Sequence, residues 1–170
     1  MPKPQLGQIA AAVVDPLLSD NFSLNIPSVP SGDSTVPLLM LCRTATKPGM
    51  TLNQVEVQLF GHTLEYAGNL TYNHDLSVEY VENRSMQIHK ILEAWMLYIR
   101  AEETQHGAYA SEYYRNADFT VYDNKGNVVR EYTIHGLWPS AVQDLSFDGT
   151  SANSLACSVT FKFNTYSIRR

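Results

Sequence analysis

Charge is scarce in this chain. Asp, Glu, Lys and Arg make up 17% of its 170 residues, where a globular protein carries about 25%. A surface with so little charge is poorly suited to keeping copies apart, and fits a protein whose surface is largely covered by partners. Positive charge is the scarcer sign: 12 Lys plus Arg stand against 17 Asp plus Glu, for a formal net charge of -5. The only adjacent basic pair is Arg169–Arg170. Tight binding to a phosphate backbone needs clustered Lys and Arg, so tight nucleic-acid binding is not expected.

Cysteine is nearly absent. Cys42 and Cys157 both lie among apolar or small residues, in LLMLCR and LACSVTF, and read as buried thiols, not a disulfide. Long apolar runs are missing too. The stretch Ile9–Val14 is too short for a secretion signal, and nothing approaches the roughly 18 residues of a membrane span.

The motifs of catalysis are also missing. The five histidines, His62, His74, His89, His106 and His135, show no i, i+4 pair and no HExxH, so spacing points to no metal site. GxGxxG, GxxxxGK[ST] and GxSxG do not occur. Cys42 follows an apolar run, where burial disfavours a reactive thiolate. Glu102 and Glu103 are adjacent, so on a helix they point apart and do not converge on a substrate. No catalytic residue, cofactor-binding residue or metal ligand is assigned, and the chain reads as no enzyme.

What the sequence does contain is alternation. Phe22–Ile26 reads as a half-buried strand ended by Pro27 and Pro30. Val36–Thr44 is apolar enough for either a buried strand or a buried helix. Gln54–Phe60 alternates Val55, Val57 and Leu59 with Glu56 and Gln58, predicting one packed face and one facing solvent or a neighbour. Gly61-His62 turns the chain, and Thr63–Ala67 returns it before Gly68-Asn69. Leu76–Val81 alternates again. The period then changes: Ile88, Ile91, Leu92, Trp95, Met96 and Ile99 predict an amphipathic helix over 85–101, with Asn83 or Ser85 as cap.

Residues 104–116 read as a loop whose three tyrosines make a candidate contact surface. Ala117–Tyr122 and Val128–Ile134 flank an Asn/Gly turn and predict a hairpin. Gly136 and Pro139 are expected to break the strand over 135–140, with a new short strand at Val142–Phe147. The last segment places Leu155, Cys157, Val159, Phe161 and Phe163 on one face. These elements predict a single mainly-β domain over 1–170, a barrel or sandwich with one amphipathic helix, preceded by an arm at 1–20. Glu56, Glu65, Asp75, Glu79 and Glu82 make the middle of the chain acidic, either as an ordinary solvated face or as the lining of a bore if copies close into a ring.

The order of these pieces resembles the tail tube proteins of contractile-tailed phages, the T4-like tail tube family, over Phe22–Tyr166. The resemblance rests on NFSLNIPSVP, on LLMLCRTATKPGMTL at 38–52, and on the tract 66–99 with Tyr66, Gly68, Tyr72, Leu76, Val78 and Trp95. Its most specific part is YTIHGLWPSAVQDLSFD at 132–148, with Gly136, Trp138, Pro139 and Val142. The resemblance implies a tail-tube-type barrel or sandwich that forms hexameric rings stacked into a hollow tube within a contractile sheath. It implies a tail sheath protein, baseplate proteins and a tail terminator as partners, with DNA as a transient passenger in the lumen and no membrane in the assembled state. The virion tail tube, assembled in the host cytoplasm, is the implied location. The segment Lys47–Gln54 and the N-terminal arm would reach the adjacent ring, and the Trp95 helix would pack outside the barrel. A tube protein of another contractile injection system and a baseplate tube initiator share these expectations, whereas a small β-rich ligand-binding domain would be a monomer with a polar-lined pocket.

Overall fold

The computed structural model describes residues 3, 5–7, 16–150 and 152–169, so most of the arm expected at 1–20 lies outside the described residues. The predicted mainly-β architecture is present, as two packed sheets and a single long helix. One sheet holds β1 (Phe22–Asn25), β6 (Arg115–Tyr122), the first part of β7 (Val128–Val142) and β9 (Thr165–Ile168). The other holds the end of β7, β8 (Ala156–Lys162), β5 (Asp75–Val81) and β2 (Cys42–Ala45), in that order. All pairings are antiparallel. A separate two-stranded ribbon is formed by β3 (Met50–Leu59) and β4 (His62–Tyr72).

The core lies between the sheets and under the helix. Alternation in β5 and β8 sends Leu76, Val78, Tyr80, Cys157, Val159 and Phe161 inward. Leu24, Ala117, Phe119 and Ile134 meet them from the other sheet. Helix α2 (Gln87–Ile99) buries Ile88, Ile91, Leu92 and Trp95, the stripe its 3.6 period predicts. Trp95 lies 6.0 Å from Phe161, centroid to centroid, and its indole N–H donates to the Tyr113 carbonyl at 3.2 Å. The helix starts at Met86 in the left-handed region (φ 51°). Asn83 Oδ1 accepts the Gln87 N–H at 3.2 Å, and Glu82 Oε1 accepts the His89 N–H at 2.6 Å. A carboxylate here satisfies a free helical N–H and faces the positive end of the helix dipole.

Strand β7 corrects the reading of 135–140. No break occurs: one strand runs 15 residues and passes from one sheet to the other. Opposite Arg115–Ala117, β7 carries an additional residue, a bulge at His135-Gly136 with Gly136 at φ 70°. A glycine supplies this left-handed bulge position without strain and bends the strand. A second register shift falls between Pro139 and Ala141. Pro139 is tolerated because the far part of β7 pairs only with β8, so it is an edge. The strand ends at Val142, and the short strand expected at Val142–Phe147 is not formed.

A β-carbon at Gly136 would lie 2.4 Å from Asn164 Nδ2 and 3.0 Å from its Cγ. Gly136→Ala must therefore displace Asn164 as well as hold a left-handed alanine. A loss of about 2 kcal/mol is expected, and a melting temperature lower by roughly 5 °C. Thermal unfolding checks this, and an unchanged midpoint would refute it.

Two smaller expectations also resolve. Val36–Thr44 is neither one strand nor one helix: it divides into α1 (Val36–Met40) and β2. The loop 104–116 contains a short helix, α3 (Ala110–Tyr113). Of its tyrosines, Tyr109 is exposed, while Tyr113 and Tyr114 stack edge-on and Tyr113 meets Trp138.

Candidate assembly interface

The β3–β4 ribbon is the feature the rest of the chain does not account for. Its strands hold 10 and 11 residues, so it extends roughly 35 Å. The packed face predicted for Val55, Val57 and Leu59 is left largely open: Val57 is half-buried, and Val55 and Leu59 are exposed. Met50, Leu52, Leu64, Tyr66 and Leu70 are exposed too. The ribbon also starts earlier and ends later than predicted, because Gly68-Asn69 is no turn. Two residues of β4 there face one residue of β3, Asn53, which is a bulge within the ladder. Gly68 is required at it: a β-carbon would lie 2.9 Å from the Asn53 carbonyl oxygen and 3.0 Å from Val55 Cγ2. Gly68→Val is expected to open the ladder at this rung while leaving the body intact. Hydrogen exchange would show faster exchange in β3 and β4 only; protection unchanged in the ribbon would count against the bulge.

At the tip, Phe60 (φ 50°) and Gly61 (φ 79°) join Leu59 to His62. Two left-handed residues in a two-residue loop make a type I′ turn, where Asn-Gly is the favoured pair. Phe60 occupies a strained position with its ring 99% exposed. An isolated two-stranded hairpin is marginal in water at best. One with this much apolar surface needs a partner.

The body offers two further surfaces. The non-core face of β5 and β8 carries Ser77, Glu79, Ser158, Thr160, Asp75 and Lys162. Its charges are matched: Arg43 pairs with Glu79 at 3.2 Å, and Lys162 pairs with Asp75. The five predicted acids are thus not one patch. Glu79 and Asp75 share this face with cations, Glu82 holds the start of α2, and Glu56 and Glu65 stand opposite one another on the ribbon. Beside α2, an open groove of about 790 Å³ is lined by Met96, Leu97, Phe147, Glu93, Glu102 and Asp144, among others. The alternation and the helical period could not reveal this groove, because residues 142–147 that wall it read as a strand but are irregular beyond Val142.

Chemistry finds little support. Burial pushes the thiols of Cys42 and Cys157 up to about 11, so both are poor nucleophiles at neutral pH. Both are free; Cys157 is buried as expected, but Cys42 only in part. Among the described residues, no group of three or more His, Cys, Asp or Glu is placed to hold a metal, and no helix is long and apolar enough to cross a membrane. His74 and His135 are used structurally, His74 Nδ1 against the Phe163 carbonyl at 3.0 Å and His135 Nε2 against Ser167 Oγ at 3.1 Å.

Two packed sheets, one long helix and an exposed apolar ribbon make a mainly-β subunit with apolar surface left for a partner. The sequence profile of the Phage tail tube protein family matches residues 18–169, and the chain belongs to that family. It is similar to the "Tail tube protein" of Serratia phage KSP90, at 25% identity over 134 residues, covering 78% of this chain and 75% of that protein. Its fold is similar to the sheath/tube terminator of the extracellular contractile injection system PVC (TM-score 0.67, 11% identity, 92% of this chain and 98% of that one). It is also similar to the SPP1 tail tube (TM-score 0.54, 11% identity, 90% of this chain and 78% of that one). The family match is to tail tube proteins broadly, a wider group than the T4-like branch the sequence resembles.

Proposed function

We propose that this chain is the repeating subunit of a phage tail tube of the T4-like contractile type. Copies close into hexameric rings that stack into a hollow tube inside a contractile sheath, with baseplate and terminator proteins at its ends. The supporting observation is the ribbon of β3 and β4, most of whose apolar side chains stay exposed. The sheet of β2, β5, β8 and the end of β7 supplies a second means of closure. Among the described residues its outer strands, β2 and the far part of β7, have unpaired edges, and closing a ring removes edges that would otherwise recruit strands at random. Its polar, charge-matched face is the natural lining of the bore, and DNA passing over it meets no unpaired cation. The whole of 1–170 acts as one tube domain, located in the virion tail after assembly in the host cytoplasm.

Negative-stain electron microscopy of the purified protein at high concentration tests this. Rings or hollow rods are expected. Particles that stay monomeric under all assembly conditions, with no affinity for a sheath or baseplate protein, would overturn it. A second reading, a tube protein of an extracellular contractile injection system, is supported by higher structural similarity to PVC tube components (TM-scores 0.67 and 0.64) than to the SPP1 tube (0.54). Nuclease-protected DNA in the native particles would separate the two, since only the phage reading requires it.

A further inference from the structure

The ribbon joins the body through two short connections, residues 46–49 leading into β3 and residues 73–74 leading out of β4. Hydrogen bonds within a two-stranded ladder fix the strands to each other and leave the ladder free as a unit. A ribbon attached in this way swings about its base unless groups outside the ladder hold it. It is also a long lever. At a length of roughly 35 Å, a swing of about 20° at the base moves the tip by roughly 12 Å.

The groups that hold the base come from the end of the chain. Phe163 and Tyr166 lie on the segment that leaves β8 and forms β9. Phe163 is buried in the core and binds the exit connection twice: its N–H donates to the His74 carbonyl at 3.2 Å, and its own carbonyl lies 3.0 Å from His74 Nδ1. Tyr166 meets the last residue of the ribbon, Tyr72, edge-on at 5.2 Å. On the entry side, the Lys47 ammonium lies 5.7 Å from the Tyr166 centroid and 5.1 Å from that of Tyr132, within reach of cation–π attraction. The Asn73 N–H donates to the Gly49 carbonyl at 3.3 Å and ties the two connections together. Tyr166 is itself fixed: it pairs with Ile134 in the β7–β9 ladder and packs edge-on against Tyr132 and Phe163. One aromatic ring on the last strand therefore engages residues on both sides of the ribbon's base, and edge-on ring contacts favour a definite angle.

We propose that β9 is a clasp that sets the direction in which the ribbon leaves the body, with Tyr166 as its positioning residue. The tip is then presented in one place before any partner arrives, and a preorganised element loses less freedom on docking. The clasp belongs to the single subunit and does not depend on copies closing into rings. Its working part is the ring, since the Tyr166 hydroxyl is buried without a hydrogen-bond partner.

Single-molecule energy transfer tests the direction. Donor and acceptor dyes are carried on p-acetylphenylalanine at Gln58, near the ribbon tip, and at Lys125, in the β6–β7 turn; both positions are exposed. Picomolar chain keeps the subunit free of its own copies. Wild-type chain is expected to give one narrow efficiency peak, and Tyr166→Phe the same peak. Tyr166→Ala is expected to broaden or displace that peak while keeping a cooperative thermal transition. Lys47→Met, at an exposed position, removes the cation and is expected to broaden the peak less. A wild-type peak that is already broad, or a narrow and unmoved peak in folded Tyr166→Ala, would overturn the clasp. If Tyr166→Ala does not fold, Lys47→Met decides, and an unchanged peak there overturns the clasp. The tube reading is untouched by any of these results.

Discussion

Phe161→Asp is expected to leave no folded subunit. Phe161 is fully buried near the end of β8, opposite Leu76 of β5, and packs on Trp95 of α2. It joins the sheet to the helix, so a loss there is felt by both layers. Removing a buried Phe side chain alone costs about 3–5 kcal/mol. The carboxylate adds the cost of a charge with no partner, several kcal/mol more unless it takes up a proton. The sum approaches the roughly 5–15 kcal/mol that holds a domain of this kind together. Circular dichroism should show loss of the cooperative thermal transition, while Phe161→Leu, which keeps most of the volume, should retain it. Native-like unfolding of Phe161→Asp would show that β8 does not sit where the structure places it.

The second large effect runs in opposite directions in two assays. Phe60→Asn should make the free subunit slightly more stable and its assembly much weaker. Phe60 holds a left-handed conformation that costs an ordinary side chain about 1 kcal/mol or more, and asparagine before Gly61 relieves it. Phe60 is 99% exposed, so folding loses almost no packing. An aromatic anchor at an interface commonly contributes about 2 kcal/mol or more, about thirtyfold in affinity. Thermal unfolding of dilute subunit gives the first half, and sedimentation across a concentration series gives the second. If assembly is unchanged while stability rises, Phe60 is no anchor and the tip lies outside the contacts.

The sequence was readable where one rule acted alone. In β8 the strict alternation from Cys157 to Phe161 needs only a core on one side, and in α2 the stripe from Ile88 to Trp95 needs only a sheet beneath it. Both are where they were predicted. Strand β7 was misread because Gly136 and Pro139 are local breakers whose effect depends on context. A bulge uses the glycine, and an edge tolerates the proline, and neither circumstance is visible from neighbouring residues. The ribbon posed a different problem. Val55, Val57 and Leu59 have the composition of a strand lying on its own core, and a strand made for another copy has the same composition. Only the fold shows that Val55 and Leu59 are left exposed. The acidic middle failed for a related reason: Arg43 is 36 residues from Glu79, and Lys162 is farther still from Asp75, so their pairing is a product of the sheet.

The ribbon also bears on how growth begins. A free subunit keeps much of its ribbon's apolar surface in water, and if copies close into rings as proposed above, a first pair would leave most of the ring's contacts unmade. On that reading early contacts would be short-lived, and elongation would become favourable only once a closed seed presents several docking sites together. Such a chain should show a lag and a threshold concentration, and should respond sharply to any preformed template. That gives a cell a simple means of starting one filament where it is wanted and none elsewhere.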